Sequence, residues 1–260
     1  MECGWLATDA LRIQDIQNPS ERRGSRLTKG CHQPASGLRD KPASYFKIPP
    51  KRVTAYELAH YFLNPMPNDL QPGRHDKRDA GDEFPFTYNV VYVLDSSTSI
   101  TKVDFENGIK AIQLLTAKAR NDTKFALILY AAEPVMVTNF TTQASMLQLL
   151  TNVQRLYGKT NTFSALELCR KLFFVKSGSL NRVLLVTDGL SNMNQDKMLY
   201  EAFQLKMSNI EIFVVAVGRY NYGADEISSL SSIPTTHIYR VESMRGLVRI
   251  IMWIPTGERG

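Results

Sequence analysis

The chain has 260 residues, of which 43% are hydrophobic and 22% charged, and a formal net charge of +6. That is enough chain for one large domain or two small ones without staples, in the composition of an ordinary globular protein. The basic excess is scattered in pairs such as Arg22-Arg23 and Lys77-Arg78, and no apolar run approaches the roughly 20 residues of a membrane span, so neither nucleic acid nor membrane insertion is expected.

The opening stretch, MECGWLATDALRIQD, has too short an apolar run and too early an acid for a secretory signal. Residues 1–84 mix Pro, Gly, Arg, Lys and Asp with few periodic apolar positions, as in NPMPNDLQPGRHDKRDAGDE. They read as a loosely ordered extension or part of another module, with one short helix expected around Thr54–Leu63. From residue 85 to 255 apolar strands alternate with helical patterns, and 256–260 form a tail. Such alternation predicts a doubly wound α/β domain with a mostly parallel sheet, one antiparallel edge strand and helices on both faces.

Strand Val90–Leu94 comes first, followed by a helix near Val103–Arg120 with Phe105, Ile109, Ile112 and Ala119 on one face. Lys124–Tyr130 and Val135–Phe140 lie close enough for an antiparallel hairpin. A helix is predicted over Gln143–Tyr157, its apolar side made by Met146, Leu149, Leu150, Val153 and Leu156. A loop, Gly158-Lys159-Thr160-Asn161-Thr162, leads into a helix over Phe163–Phe174. Strand Arg182–Thr187 ends at Asp188-Gly189. Helix Lys197–Lys206, strand Glu211–Val217, a short helix Ala224–Leu230, strand His237–Val241 and a last helix Leu247–Ile254 complete the order.

The stretch VVYVLDSSTS, Val90–Ser99, runs a buried strand straight into a carboxylate and a string of hydroxyls. In open parallel sheets, ligands bind just beyond the carboxyl ends of the strands. A charged Asp95 there is costly unless paired, and the hydroxyls of Ser97 and Ser99 beside it suit a hard cation. The same residues would also serve as caps of the next helix. Asp188 is a second carboxylate at a strand end, and Thr160 sits in a Gly-led loop before a helix. Singly these are a cap and a turn residue. Together, two carboxylates and three hydroxyls without a nearby base call for a cation.

Asp95-Ser96-Ser97-Thr98-Ser99, Gly158-Lys159-Thr160-Asn161-Thr162 and Thr187-Asp188-Gly189, in this order with helices and strands between, resemble the von Willebrand factor type A domain. The likeness spans about Phe86 to Ile254, and YAAEPVMVTNF resembles the second and third strands of matrix-type members such as matrilins and collagen-VI-like domains. The resemblance implies a metal-ion-dependent adhesion site, in which Asp95, Ser97, Ser99, Thr160 and Asp188 surround one divalent ion. The ion would be Mg²⁺, with Mn²⁺ or Ca²⁺ as alternatives, and some contacts would pass through water. It further implies a protein ligand, such as collagen or another matrix protein, bound through an acidic side chain, with self-association as another mode.

Enzyme readings fare worse. An aspartyl-nucleophile phosphatase wants a second Asp where Ser97 stands. There is no GxSxG elbow, no GxxxxGK[ST] loop and no GxGxxG after a strand, and His32, His60, His75 and His237 show no recognisable catalytic spacing. The main rival is an intracellular assembly module of the same family, which the missing signal favours. Two sequons at expected loop positions, Asn121-Asp122-Thr123 and Asn139-Phe140-Thr141, are glycosylation candidates that favour an extracellular protein instead. Cys3, Cys31 and Cys169 show no zinc spacing. Cys3 and Cys31 could pair in an oxidising compartment, and Cys169 is expected as a buried, inert thiol.

Overall fold

A computed structural model describes residues 47–63, 87–173, 179–189, 191–218 and 223–255. Six strands form one sheet: β1 Thr87–Asp95, β2 Lys124–Tyr130, β3 Pro134–Thr141, β4 Ser179–Thr187, β5 Ile210–Val217 and β6 Ile238–Val241. Their order is β3-β2-β1-β4-β5-β6. All neighbours run parallel except β3, which returns antiparallel on β2 as the hairpin spacing predicts.

The central strands are apolar on both sides because helices cover both faces. Along β1, Val91 and Val93 enter one core layer, while Val90, Tyr92 and Leu94 enter the other. One layer is covered by α2 Lys102–Lys118, α3 Gln143–Leu149 and α7 Met244–Met252. The other is covered by α4 Thr162–Leu172, α5 Gln195–Met207 and α6 Ala224–Leu230. Side-chain oxygens of Thr101, Asn161 and Ser243 accept the first free amides of α2, α4 and α7, satisfying donors that the helices leave unpaired.

The chain leaves β1 toward β2 and β3, then recrosses to β4 on the other side of β1. The strand order therefore reverses between β1 and β4, and the crevice lies at their carboxyl ends. Asp95 closes β1, Thr187 closes β4, and Asp188 follows directly.

Two elements differ from the sequence pattern. The helix predicted to Tyr157 stops at Leu149. Val153 and Leu156 still pack against the core, which preserves the apolar spacing. The Leu156 amide, however, donates to the Ser96 hydroxyl at 2.6 Å, and Arg155 donates to the Ser97 carbonyl at 3.0 Å. The backbone is drawn to the loop after β1 instead of continuing its helical turns.

The second is the helix near Thr54–Leu63, which begins at Lys51 as α1 (Lys51–Glu57) and continues as a π-helical turn, Leu58–Leu63. Leu58, Phe62 and Leu63 are buried in the same layer as α2 and α7, and the Phe62 ring meets Phe213 edge-on at 5.2 Å. This segment, which the sequence groups with the extension, thus supplies part of the sheet's own core.

Candidate metal centre

Asp95 faces the same side of β1 as Val91 and Val93, and its register partner on β2 is Tyr130. It is 0% exposed. Its Oδ1 accepts the Ser97 amide at 2.8 Å. Thr187 Oγ1 lies 3.2 Å from Asp95 Oδ2 and 3.1 Å from the Gly189 carbonyl, so its single proton serves one acceptor or the other. Burial pushes the Asp95 carboxyl up to about 6, the Asp188 charge adds to the rise, and the bonds from Ser97 and Thr187 oppose it.

From Asp95 a chain of oxygens leads outward. Ser97 Oγ and Ser99 Oγ are 3.0 Å apart, and Ser99 Oγ donates to Asp188 Oδ1 at 3.1 Å. Asp188 is half-buried, and its carboxyl is also raised, first by burial and then by the charge of Asp104, against the Ser99 bond. Asp95, Ser97, Ser99 and Asp188 thus form one linked group across the β1–β4 crevice.

Thr160 reaches the same rim by another route. Its amide donates to Asn192 Oδ1 at 3.0 Å, and its carbonyl accepts from the Asn192 amide at 3.1 Å and the Ser191 hydroxyl at 3.2 Å. The loop after β4 therefore holds the Thr160 backbone. Among the described residues nothing bonds its hydroxyl, and no direct bond joins Thr160 to the chain from Asp95 to Asp188.

Gly158 makes this approach practicable. Its φ of +133° suits glycine, and a Cβ there would come within 3.2 Å of the Ala132 Cβ. Its carbonyl accepts the Thr98 amide at 2.9 Å, which laces this loop to the one after β1.

Two carboxylates in a shared group need a counter-charge, and among the described residues no ion pair supplies it. The ion pairs are Lys102–Glu106, Arg120–Asp122, Arg170–Glu201, Lys171–Glu167 and Arg182–Glu211. Arg155 is close, but its guanidinium is taken up by the Ser97 and Thr98 carbonyls and stacks 4.5 Å from the Tyr157 ring centre. Nor is there, among the described residues, a cluster of three His, Cys, Asp or Glu side chains able to hold a metal. The donor set is therefore two acids plus neutral hydroxyls, which fits a hard, oxygen-seeking cation and not a soft one.

Sequence patterns alone do not expose three contributors. Thr187 and Tyr130 become neighbours of Asp95 only through strand register, and Asn192 positions Thr160 from a separate loop. Tyr130 Oη is buried beside Asp95, Thr187 and Thr162; burial, with the Asp95 charge, pushes its pKa well up against the pull of the Thr187 and Thr162 hydroxyls, keeping it a protonated donor.

Other expected positions fall elsewhere. Cys169 is buried and unpaired, and burial pushes its thiol up, as an inert core residue should behave. Asn121 lies exposed in the turn after α2, whereas Asn139 lies within β3 and not in a loop. Cys3 and Cys31 are outside the described residues.

A six-stranded doubly wound sheet with carboxylate and hydroxyl side chains gathered at the reversal point defines a class of α/β domains. The chain belongs to the von Willebrand factor type A domain family, whose profile matches residues 89–252. Mouse integrin alpha-X is 29% identical over 175 residues, covering 61% of this chain and 15% of that protein. Human collagen alpha-5(VI) chain is 29% identical over 145 residues, covering 51% of this chain and 6% of that protein. The chain therefore corresponds to a small part of each relative.

Among solved structures, proximal thread matrix protein 1 from the mussel byssus superimposes with a TM-score of 0.57 at 19% identity, over 65% of this chain and 45% of that one. A second structure of that protein, described as having a zinc-occupied MIDAS motif, gives a TM-score of 0.55 at 21% identity, over 65% of this chain and 45% of that one. Manganese-loaded TRAP protein from Plasmodium vivax gives 0.52 at 16% identity, over 65% of this chain and 73% of that one. At these identities the likeness establishes the shared fold.

Proposed function

We propose that this domain is a non-enzymatic, metal-ion-dependent adhesion module in which Asp95, Ser97, Ser99, Thr160 and Asp188 hold a divalent cation, Mg²⁺ in the first place and Mn²⁺ or Ca²⁺ as substitutes. A cation bound there would supply positive charge and a coordination position for the acidic side chain of a protein ligand. The observation that carries this reading is the oxygen chain from buried Asp95 through Ser97 and Ser99 to Asp188, which lacks a basic partner among the described residues.

This chain's residues have separable tasks. Asp95, at the floor, supplies charge with its orientation set by the Ser97 amide and the Thr187 hydroxyl. Asp188, half-buried at the rim, supplies the second charge. Ser97, Ser99 and Thr160 contribute neutral oxygens, so the net charge at the crevice stays low and a partner's acid is not repelled. Ser96, Arg155 and Asn192 hold the loops that carry them. A site of this kind binds and does not turn over substrate: it offers no nucleophile with an adjacent base.

The relatives' names, integrin and collagen, support an extracellular or matrix setting with collagen or another matrix protein as ligand. The test is retention of matrix proteins from a tissue extract on the immobilised full chain in Mg²⁺ and again in EDTA, with titration calorimetry of Mg²⁺ alone. Retention and cation binding should both be lost in EDTA and in Asp95→Ala and Asp188→Ala. Wild-type Mg²⁺ binding by either variant would overturn the assignment.

A further inference from the structure

Among the described residues, strand β3 is an open edge of the sheet, bonded only to β2. Exposed edges template pairing with another chain, and proteins blunt them with charge, proline or bulges. Here Pro134 opens the strand, and register shifts occur between Phe125 and Leu127 and between Leu127 and Ile128. No charged residue stands in PVMVTNFT, and Val135 and Met136 are 44% and 46% exposed. The usual electrostatic guard is missing.

The same strand carries Asn139-Phe140-Thr141. Asn139 is exposed, its Oδ1 accepts the Phe140 amide at 2.6 Å, and its carbonyl accepts the Thr138 hydroxyl at 2.9 Å. Among the described residues nothing bonds Nδ2. Phe140 packs toward the core, its ring 5.5 Å from that of Phe173, which anchors the strand beside the asparagine. The carbonyl half of the amide is thus pinned and the nitrogen half is left to solvent. The other sequon differs: Thr123 is 4% exposed, and Asp122 between its ends is held by Arg120 at 2.9 and 3.1 Å.

We propose that Asn139 carries an N-linked glycan and that this glycan shields the uncharged edge of β3 from pairing with a second copy of the chain. The proposal rests on the extracellular reading, because only a chain entering the secretory route meets the donor. That donor is a lipid-linked pyrophosphate oligosaccharide. A bond forms between the anomeric carbon and Nδ2, the anomeric carbon–oxygen bond breaks, the lipid pyrophosphate leaves with the electron pair, and the Nδ2 proton passes to solvent.

The experiment secretes the full chain from animal cells behind a supplied leader, so that the result is independent of the native route. Treatment with peptide N-glycosidase should increase the mobility of wild type and of Asn121→Gln, and the increase should be lost or reduced in Asn139→Gln and in Thr141→Ala. An unshifted wild type, or an Asn139→Gln variant shifted as much as wild type, overturns the site. By light scattering, Asn139→Gln should form dimers or larger species at concentrations where wild type is monomeric, while Asn139→Lys, which restores an edge charge, should stay monomeric. A monomeric Asn139→Gln overturns the shielding role. Mg²⁺ titration of the same preparations separates the two readings, since failed cation binding counts against the adhesion site and leaves the glycan result standing.

Discussion

The two ends of the sheet handle buried charge in opposite ways. At the amino end, Arg182 on β4 is 1% exposed, yet its Nε donates to Glu211 at 2.9 Å and its Nη1 to the Phe62 carbonyl at 2.8 Å. The Tyr88 and Phe213 rings stand 5.7 and 5.8 Å from its guanidinium carbon. At the carboxyl end of the same strands, Asp95 and Asp188 are bonded, among the described residues, only to amides and hydroxyls. One charge is closed by a partner and belongs to the structure. The other pair is left open, a costly arrangement that persists where a ligand completes it.

The comparison breaks first in the shared core. Val93→Asp or Leu185→Asp would put an unpaired charge in a fully buried layer between the two ends. The expected loss, about 5 kcal/mol or more, rivals the whole stability of a domain. Neither variant should give a cooperative thermal transition, and both ends should be lost together. A folded Val93→Asp would show that this layer is wetter than its burial indicates.

Next comes the closed end by itself. Arg182→Ala strands Glu211 and frees the Phe62 carbonyl, at an expected cost of about 3 kcal/mol, the lower part of the range for breaking a buried pair because Glu211 is 25% exposed. Chemical denaturation should register the loss, while the Mg²⁺ affinity of the remaining folded protein should not change. A change in affinity without loss of stability would mean that the two ends are coupled.

The contrast explains what could be read from residues in order. VVYVLDSSTS is legible because strand, acid and hydroxyls are contiguous, and LLVTDG repeats the pattern. For Thr160 the Gly-led loop is legible, but the backbone bonds to Asn192 and Ser191 that hold it are not. Thr187 and Tyr130 were not, because their closeness to Asp95 depends on register between strands far apart in the chain. The early end of α3 is hidden for another reason: Val153 and Leu156 keep helical spacing although the Leu156 amide bonds to Ser96 in the loop after β1. The helix at 51–63 looked peripheral since its flanks are rich in proline and charge, while Leu58 and Phe62 are sunk in the core.

The pH dependence of stability sharpens the comparison, because the two ends oppose each other. Asp95 rises from its ordinary 3.8 to about 6 on folding. The cation-free native state therefore binds more protons than the unfolded chain, and stability present below pH 4 is lost as pH rises through 6, by up to about 3 kcal/mol. His237, stacked on Phe213 at 3.8 Å, falls from 6.5 to about 4 through burial and then the Arg182 charge. Its contribution is present above pH 6.5 and lost as pH falls through 4, by a similar amount of about 3 kcal/mol. In EDTA the Asp188 carboxyl, also raised by burial, adds to the Asp95 side, so the wild type should lose a little stability overall from pH 4 to 6.5. Asp95→Asn should become less stable toward acid, and His237→Gln more stable. Mg²⁺ should add stability above pH 6 to wild type but not to Asp95→Asn. A steep wild-type profile in EDTA would show that one end outweighs the other.

The smallest expected effect tests whether the floor of the open end is tuned or merely tolerated. Among the described residues Tyr130 Oη is a buried donor beside Asp95 that makes no hydrogen bond of good geometry, with the Thr187 and Thr162 hydroxyls standing by it, and removing so poorly satisfied a group by Tyr130→Phe should relieve a desolvation cost of about 1 kcal/mol. If the hydroxyl is only tolerated, the variant should melt higher by a few degrees and titrate Mg²⁺ as wild type does. If instead Mg²⁺ affinity falls while the melting temperature rises, the hydroxyl serves the charged form of Asp95. The boundary between floor and site then moves one strand outward, to β2.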